Sequence, residues 1–120
     1  MHKLMIKIGG DMDKDIDEVF KNPAIAYKRP DHTIYLNSIK QVFNILTPKR
    51  LELLMHLIET QKKRKSITQL AKELKRKQEA ISRDISFLEG FNIIDKKREK
   101  KNIFVFTPYD SIEIKLTAEQ

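Results

Sequence analysis

Gln78, Ser82, Arg83 and Ser86 gather on one face once the chain is read as helical from residue 78 to 89, because side chains three and four positions apart are neighbours on a helix. Their types suit the edges of base pairs. Arginine can give two parallel N–H groups to guanine O6 and N7, glutamine can pair with adenine, and serine is short enough to let a helix come close. Glu79 shares the face and can accept from cytosine N4, or repel phosphate and hold down non-specific binding. A second set, Ser66, Lys72, Lys77, Lys97, Lys100 and Lys101, carries the hydroxyl and ammonium groups that hold phosphate oxygens. The same residues also fit a plain solvated helix face and an aggregation-resistant hairpin, so their surroundings have to decide.

Charge placement supplies the first of those surroundings. The 120 residues carry a formal net charge of +7, but from Gln61 to Lys101 there are 14 Lys or Arg against 6 Asp or Glu, and elsewhere 10 against 11. The whole positive excess therefore belongs to one segment, as a polyanion-binding face requires and a general solubility device does not. The absence of cysteine excludes disulfides, thiolate metal sites and thiol nucleophiles. With 40% hydrophobic residues and only short apolar runs, the composition fits one globular domain, cytoplasmic and without a membrane span or secretory signal.

The elements that position these residues follow from periodicity and punctuation. Ser66 with Gln69 forms a capping box that starts a helix with Leu70, Ala71 and Leu74 inward. After Lys75-Arg76-Lys77 a second helix turns Ile81, Ile85 and Leu88 inward and the candidate readers outward, until Gly90, suited to the left-handed conformation, ends it. Residues 93–107 read as a hairpin with its tip around Arg98-Glu99-Lys100-Lys101. Upstream, Thr47-Pro48 opens a helix with Leu51, Leu54, Leu57 and Ile58 buried and Lys49, Arg50, Glu52 and Glu59 outward. Before it, a helix capped by Asn37 or Ser38 buries Ile39, Val42, Phe43 and Leu46. Strands are expected at Leu4–Ile8, closed by Gly9-Gly10, at His32–Leu36 and at Ser111–Leu116, with a helix over Asp11–Phe20.

Sharper chemistry does not survive inspection. Asp11, Asp13 and Asp15 imitate a calcium loop, but Ile16 stands where glycine is needed and Asn22 where the closing glutamate belongs. His2, His32 and His56 lack metal-ligand spacing, Gly9-Gly10 lacks the Gly-Lys-Ser/Thr of a phosphate loop, and no Ser, His and acid are arranged for nucleophilic catalysis. Neither an enzyme nor a cofactor is expected.

Three segments resemble a known family. LTPKRLELLMHLIE at Leu46 to Glu59, SITQLAKELKRKQEAISRDISFLEGFNII at Ser66 to Ile94 and FTPYDSIEI at Phe106 to Ile114 are similar to the archaeal winged helix-turn-helix predicted transcriptional regulators, and more broadly to MarR-type and ArsR-type repressors. The resemblance covers the last two-thirds of the chain. It implies double-stranded DNA binding as a homodimer, with the helix of Ser82 and Arg83 in the major groove and the basic hairpin as a wing. Lys75-Arg76-Lys77 replaces the family's short glycine-containing turn.

The expected fold is therefore α+β, a winged helix-turn-helix over residues 31–120, with an N-terminal strand-helix extension over residues 1–30 and an additional C-terminal strand. One or both terminal elements are candidates for a dimer interface, the alternative being that they complete the chain's own sheet. Gln78, Ser82, Arg83 and Ser86 are the expected base readers, and Ser66, Lys72, Lys77, Lys97, Lys100 and Lys101 the expected phosphate contacts. Two other uses of the basic face stay open: RNA binding, and docking of a protein of the transcription machinery.

Overall fold

The computed structural model describes residues 2–9, 32–61 and 63–116. They fall into two compact units, Met1–Asn44 with Ser111–Gln120, and Ile45–Asp110. The expected division between residues 30 and 31, the helix over Asp11–Phe20 and the calcium-like aspartates lie outside the described residues.

In the first unit β1 (Lys3–Ile8) alternates half-buried and buried residues, with Leu4, Ile6 and Ile8 inside. It runs parallel to β2 (His32–Leu36) on one side and to β5 (Ser111–Leu116) on the other, giving the order β2-β1-β5. Gly9 takes a φ of 77° and donates its N–H to Leu36 O at 3.3 Å, so the left-handed turn that glycine permits closes β1 against the end of β2. Because β5 pairs with β1, the entire second unit is inserted in sequence between two strands of one sheet. The terminal strands thus complete the chain's own sheet.

Helix α1 (Ile39–Ile45) follows, with Ser38 accepting from Gln41 N at 3.4 Å. Its inward residues differ from the expected stripe: Val42, Ile45 and, just beyond, Leu46 are buried, whereas Ile39 is 54% and Phe43 67% exposed. In α2 (Pro48–Glu59), opened by Thr47 and Pro48 as expected, the buried residues are Leu53, Leu54 and Leu57, and Leu51 faces out. Both helices carry two overlapping apolar stripes, and periodicity alone does not choose between them.

The second unit continues with α3 (Ile67–Glu73) and α4 (Gln78–Gly90), followed by a hairpin of β3 (Asp95–Glu99) and β4 (Asn102–Phe106). The capping box on α3 is complete: Gln69 N donates to Ser66 Oγ at 3.2 Å and Ser66 N donates to Gln69 Oε1 at 2.9 Å. Leu70, Ile81, Ile85 and Leu88 are fully buried and join Leu53, Leu54, Leu57, Ile93, Ile94 and Val105 in the core. An antiparallel bridge ties the segment before α3 to the hairpin, with Val105 N donating to Lys65 O at 2.8 Å.

Candidate nucleic-acid interface

Two positive-φ residues, neither of them glycine, shape the ends of the helical pair. Lys75, at 54°, makes the turn between α3 and α4, taking the place of the glycine that such turns normally use. Asn92, at 61°, ends α4: Ile93 N donates to Leu88 O and Asn92 N to Glu89 O, which is the Schellman arrangement, with Leu88 and Ile93 both fully buried beneath it. Gly90 is the last residue of the helix itself, so the left-handed stop expected there is displaced to Asn92, whose side chain tolerates that conformation better than most.

Helix α4 is held from three sides. At its start, Gln78 Nε2 donates to Thr68 Oγ1 at 3.2 Å, linking the first turns of the two helices. On one flank Asp84 lies between two guanidiniums: Arg50 Nε donates to Oδ1 at 3.2 Å, and Arg76 Nη2 sits 2.8 Å from Oδ2 as an ion pair without hydrogen-bond alignment. Arg50 also donates to Ile45 O and stacks 3.8 Å over the Phe87 ring. The side chains of Arg50, Asp84 and Arg76 are only 18%, 13% and 13% exposed. The sequence places Arg50 among outward residues, and the fold turns it inward to meet Asp84. The available signal is Asp84's spacing, three residues from Ile81 and four from Leu88, which puts a carboxylate beside the apolar stripe where it needs a cation. At the far end, Lys96 Nζ reaches Glu89 Oε1 at 3.3 Å, joining the hairpin to the helix.

With that side fastened, Glu79, Arg83 and Ser86 are exposed on the opposite face, and Ser82 is half-buried at its margin. Arg83 and Ser86 therefore stand together as expected, while Gln78, although exposed, already spends an N–H on Thr68. Lys72 and Lys77 are exposed on α3 and at the start of α4, and Ser66 Oγ is engaged in its cap.

The hairpin sorts its cations by strand alternation. Its two-residue tip is Lys100-Lys101, with Lys100 at φ 55°, so Arg98 and Glu99, expected in the tip, belong to β3. Lys96 pairs across with Val105 and Arg98 with Ile103, on the face that meets Glu89 of α4. Lys97 pairs with Phe104 on the other face, 3.5 Å from Glu99, and lines a cavity of about 390 Å³ with Arg64 and Gln61. Arg64 in turn pairs with Glu99. Arg98 is thus the exposed cation on the same hairpin face as Lys96, which counting lysines missed and period-two alternation would have found. Behind α3, Glu73 receives Lys65 Nζ at 2.6 Å and lies 2.8 Å from His56 Nε2. Lys65 foremost, then His56, holds its carboxyl below the ordinary value, so His56 is a structural partner of Glu73.

The sequence profile of the HVO_A0114 family matches residues 45–114, more than half of the chain. The chain belongs to the HVO_A0114 family. No curated protein matches it in sequence. In structure this HVO_A0114 member is similar to a predicted DNA-binding transcriptional regulator from E. coli, with a TM-score of 0.52 and 15% identity over 83% of this chain and 86% of that one. It is also similar to ZitR of Lactococcus lactis solved in complex with DNA, with a TM-score of 0.50 and 18% identity over 84% of this chain and 68% of that one. At such identities the likeness is one of fold: the HVO_A0114 member is an α+β winged helix protein. Among its described residues no helix is long and apolar enough to cross a membrane.

Proposed function

We propose that the chain is a non-catalytic, sequence-specific double-stranded DNA-binding regulator of transcription that acts in the cytoplasm as a homodimer. The observation that carries this reading is the outward face of α4: Arg83 and Ser86 project from a helix whose other sides are pinned by Thr68, by Asp84 between two arginines, and by the hairpin. A rigid helix with short and guanidinium side chains outward is what major-groove reading needs. Likeness in fold to ZitR, which was solved with DNA bound, is consistent with that use.

In this reading Gln78, Ser82, Arg83 and Ser86 address base edges, with Arg83 bidentate to a guanine. Ser66, Lys72, Lys77, Lys97, Lys100 and Lys101 address phosphates, joined by Arg98 on the same face of the wing as Lys96. Duplexes selected from a random library by the purified protein supply the preferred site. On that site Arg83→Ala is expected to cost about 1–3 kcal/mol and to relax base choice at one position. An equal loss on every duplex would make Arg83 a phosphate contact, and failure to enrich any motif would remove the sequence-specific reading.

A further inference from the structure

The sheet of the first unit ends in an edge strand whose sequence is complementary to itself. In the order β2-β1-β5, β1 is paired on both sides, whereas β5 has a neighbour on one side only among the described residues. The register Leu4↔Ile112, Ile6↔Ile114 and Ile8↔Leu116 puts these six side chains on one face of the sheet. Their cover is unequal. Leu4 and Ile6 are at most 1% exposed, while Ile114 is 49% and Leu116 68% exposed. On the opposite edge all five residues of β2 are half-buried, so bare apolar surface concentrates on β5. An unpaired edge of this kind is a template for another strand.

We propose that two copies of the chain join through β5, which rests on the two-fold dimer inferred above and assigns its interface. A two-fold axis relates a strand to its copy antiparallel. With the axis at Ile114, Ile112 lies opposite Leu116 of the partner subunit, Ile114 opposite Ile114 of the partner subunit, and Glu113 opposite Lys115 of the partner subunit. Apolar residues then meet apolar residues on one face, and two Glu–Lys pairs form on the other. Neighbouring registers lose this match. Moving the axis by half a residue sets the two faces out of phase, and moving it to residue 113 or 115 puts two Glu113 or two Lys115 directly opposite each other. Within its own chain Glu113 meets Lys3 through Oε1 at 3.0 Å while half-exposed, which leaves Oε2 for Lys115 of the partner subunit. The product is one continuous sheet of six strands, β2-β1-β5 followed by its two-fold copy.

Charge reversal tests this in the full chain by sedimentation equilibrium. Glu113→Lys or Lys115→Glu alone places like charges at both symmetric pairs and is expected to weaken dimerisation roughly tenfold. The double variant E113K/K115E restores opposite charges and the affinity with them. An equimolar mixture of E113K and K115E chains, which has only opposite-charge pairs across a mixed interface, associates more tightly than either variant alone. Unchanged dimerisation in both single variants, or loss without recovery in the mixture, overturns the β5 interface and leaves the dimer itself standing. A wild-type chain that stays monomeric at every concentration, with and without DNA, overturns both.

Discussion

Asp84 and Arg83 are adjacent in the chain, one mostly buried and the other exposed, and the contrast separates stability from recognition. Asp84 is mostly buried between Arg50 and Arg76, so its removal leaves two guanidiniums short of their counter-ion. Asp84→Ala is expected to cost about 3 kcal/mol in urea-induced unfolding. Arg83, exposed on α4, contributes little to the fold, and its alanine variant should unfold within about 0.5 kcal/mol of the wild type while losing DNA affinity. Either variant behaving like the other would reverse the assignment of these side chains. Arg83 and Ser86 are legible from helical spacing because exposure on a helix depends on local geometry. Arg50 is not legible in that way, since its partner is 34 residues away.

At the scale of elements, the starts of helices are local chemistry and their ends and buried faces are less so. Ser66 with Gln69, and Thr47 with Pro48, act within one helical turn, and both caps form as the sequence predicts. The end of α4 depends instead on where the buried chain must go next: Ile93 docks against Leu88, which passes the left-handed position to Asn92 and leaves Gly90 helical. Beyond its chain neighbours and its own helix backbone, a Cβ at Gly90 would meet no atom within 4 Å, so Gly90→Ala is expected to stabilise the protein by about 0.5–1 kcal/mol, seen as a rise in melting temperature. A fall would mean that the backbone there is not helical in solution. In α2, the choice of Leu53 over Leu51 as a buried residue is likewise set by what packs on the helix, because both stripes have the same period.

For the whole molecule, the concentration of positive charge in one sequence segment is the dominant electrostatic fact, and Lys100 and Lys101, both exposed, form the hairpin tip within it. Replacing both with alanine is expected to weaken binding to all duplexes alike and to lower the slope of log affinity against log salt by up to about two, measured by fluorescence anisotropy over a salt series. An unchanged slope would mean that the wing stays off the phosphates. The chain's topology adds a separate feature: residues 45–110 lie in sequence between strands that pair in one parallel sheet, so the first and last strands of the described chain, β1 and β5, are side by side.

By itself the sequence determined the helix starts, the strand segments, the basic segment and the outward face of α4, because each depends on residues within a turn or two or on simple counting. Only tertiary structure decided the pairing of β5 with β1, the inward turn of Arg50 onto Asp84, the stripe that α1 and α2 bury, and which face of the hairpin meets α4, where Lys96 reaches Glu89. The physical reason is common to all four. A stripe or an alternation specifies which residues share a face, but which face is buried depends on partners far away in sequence, and only the folded chain brings them together.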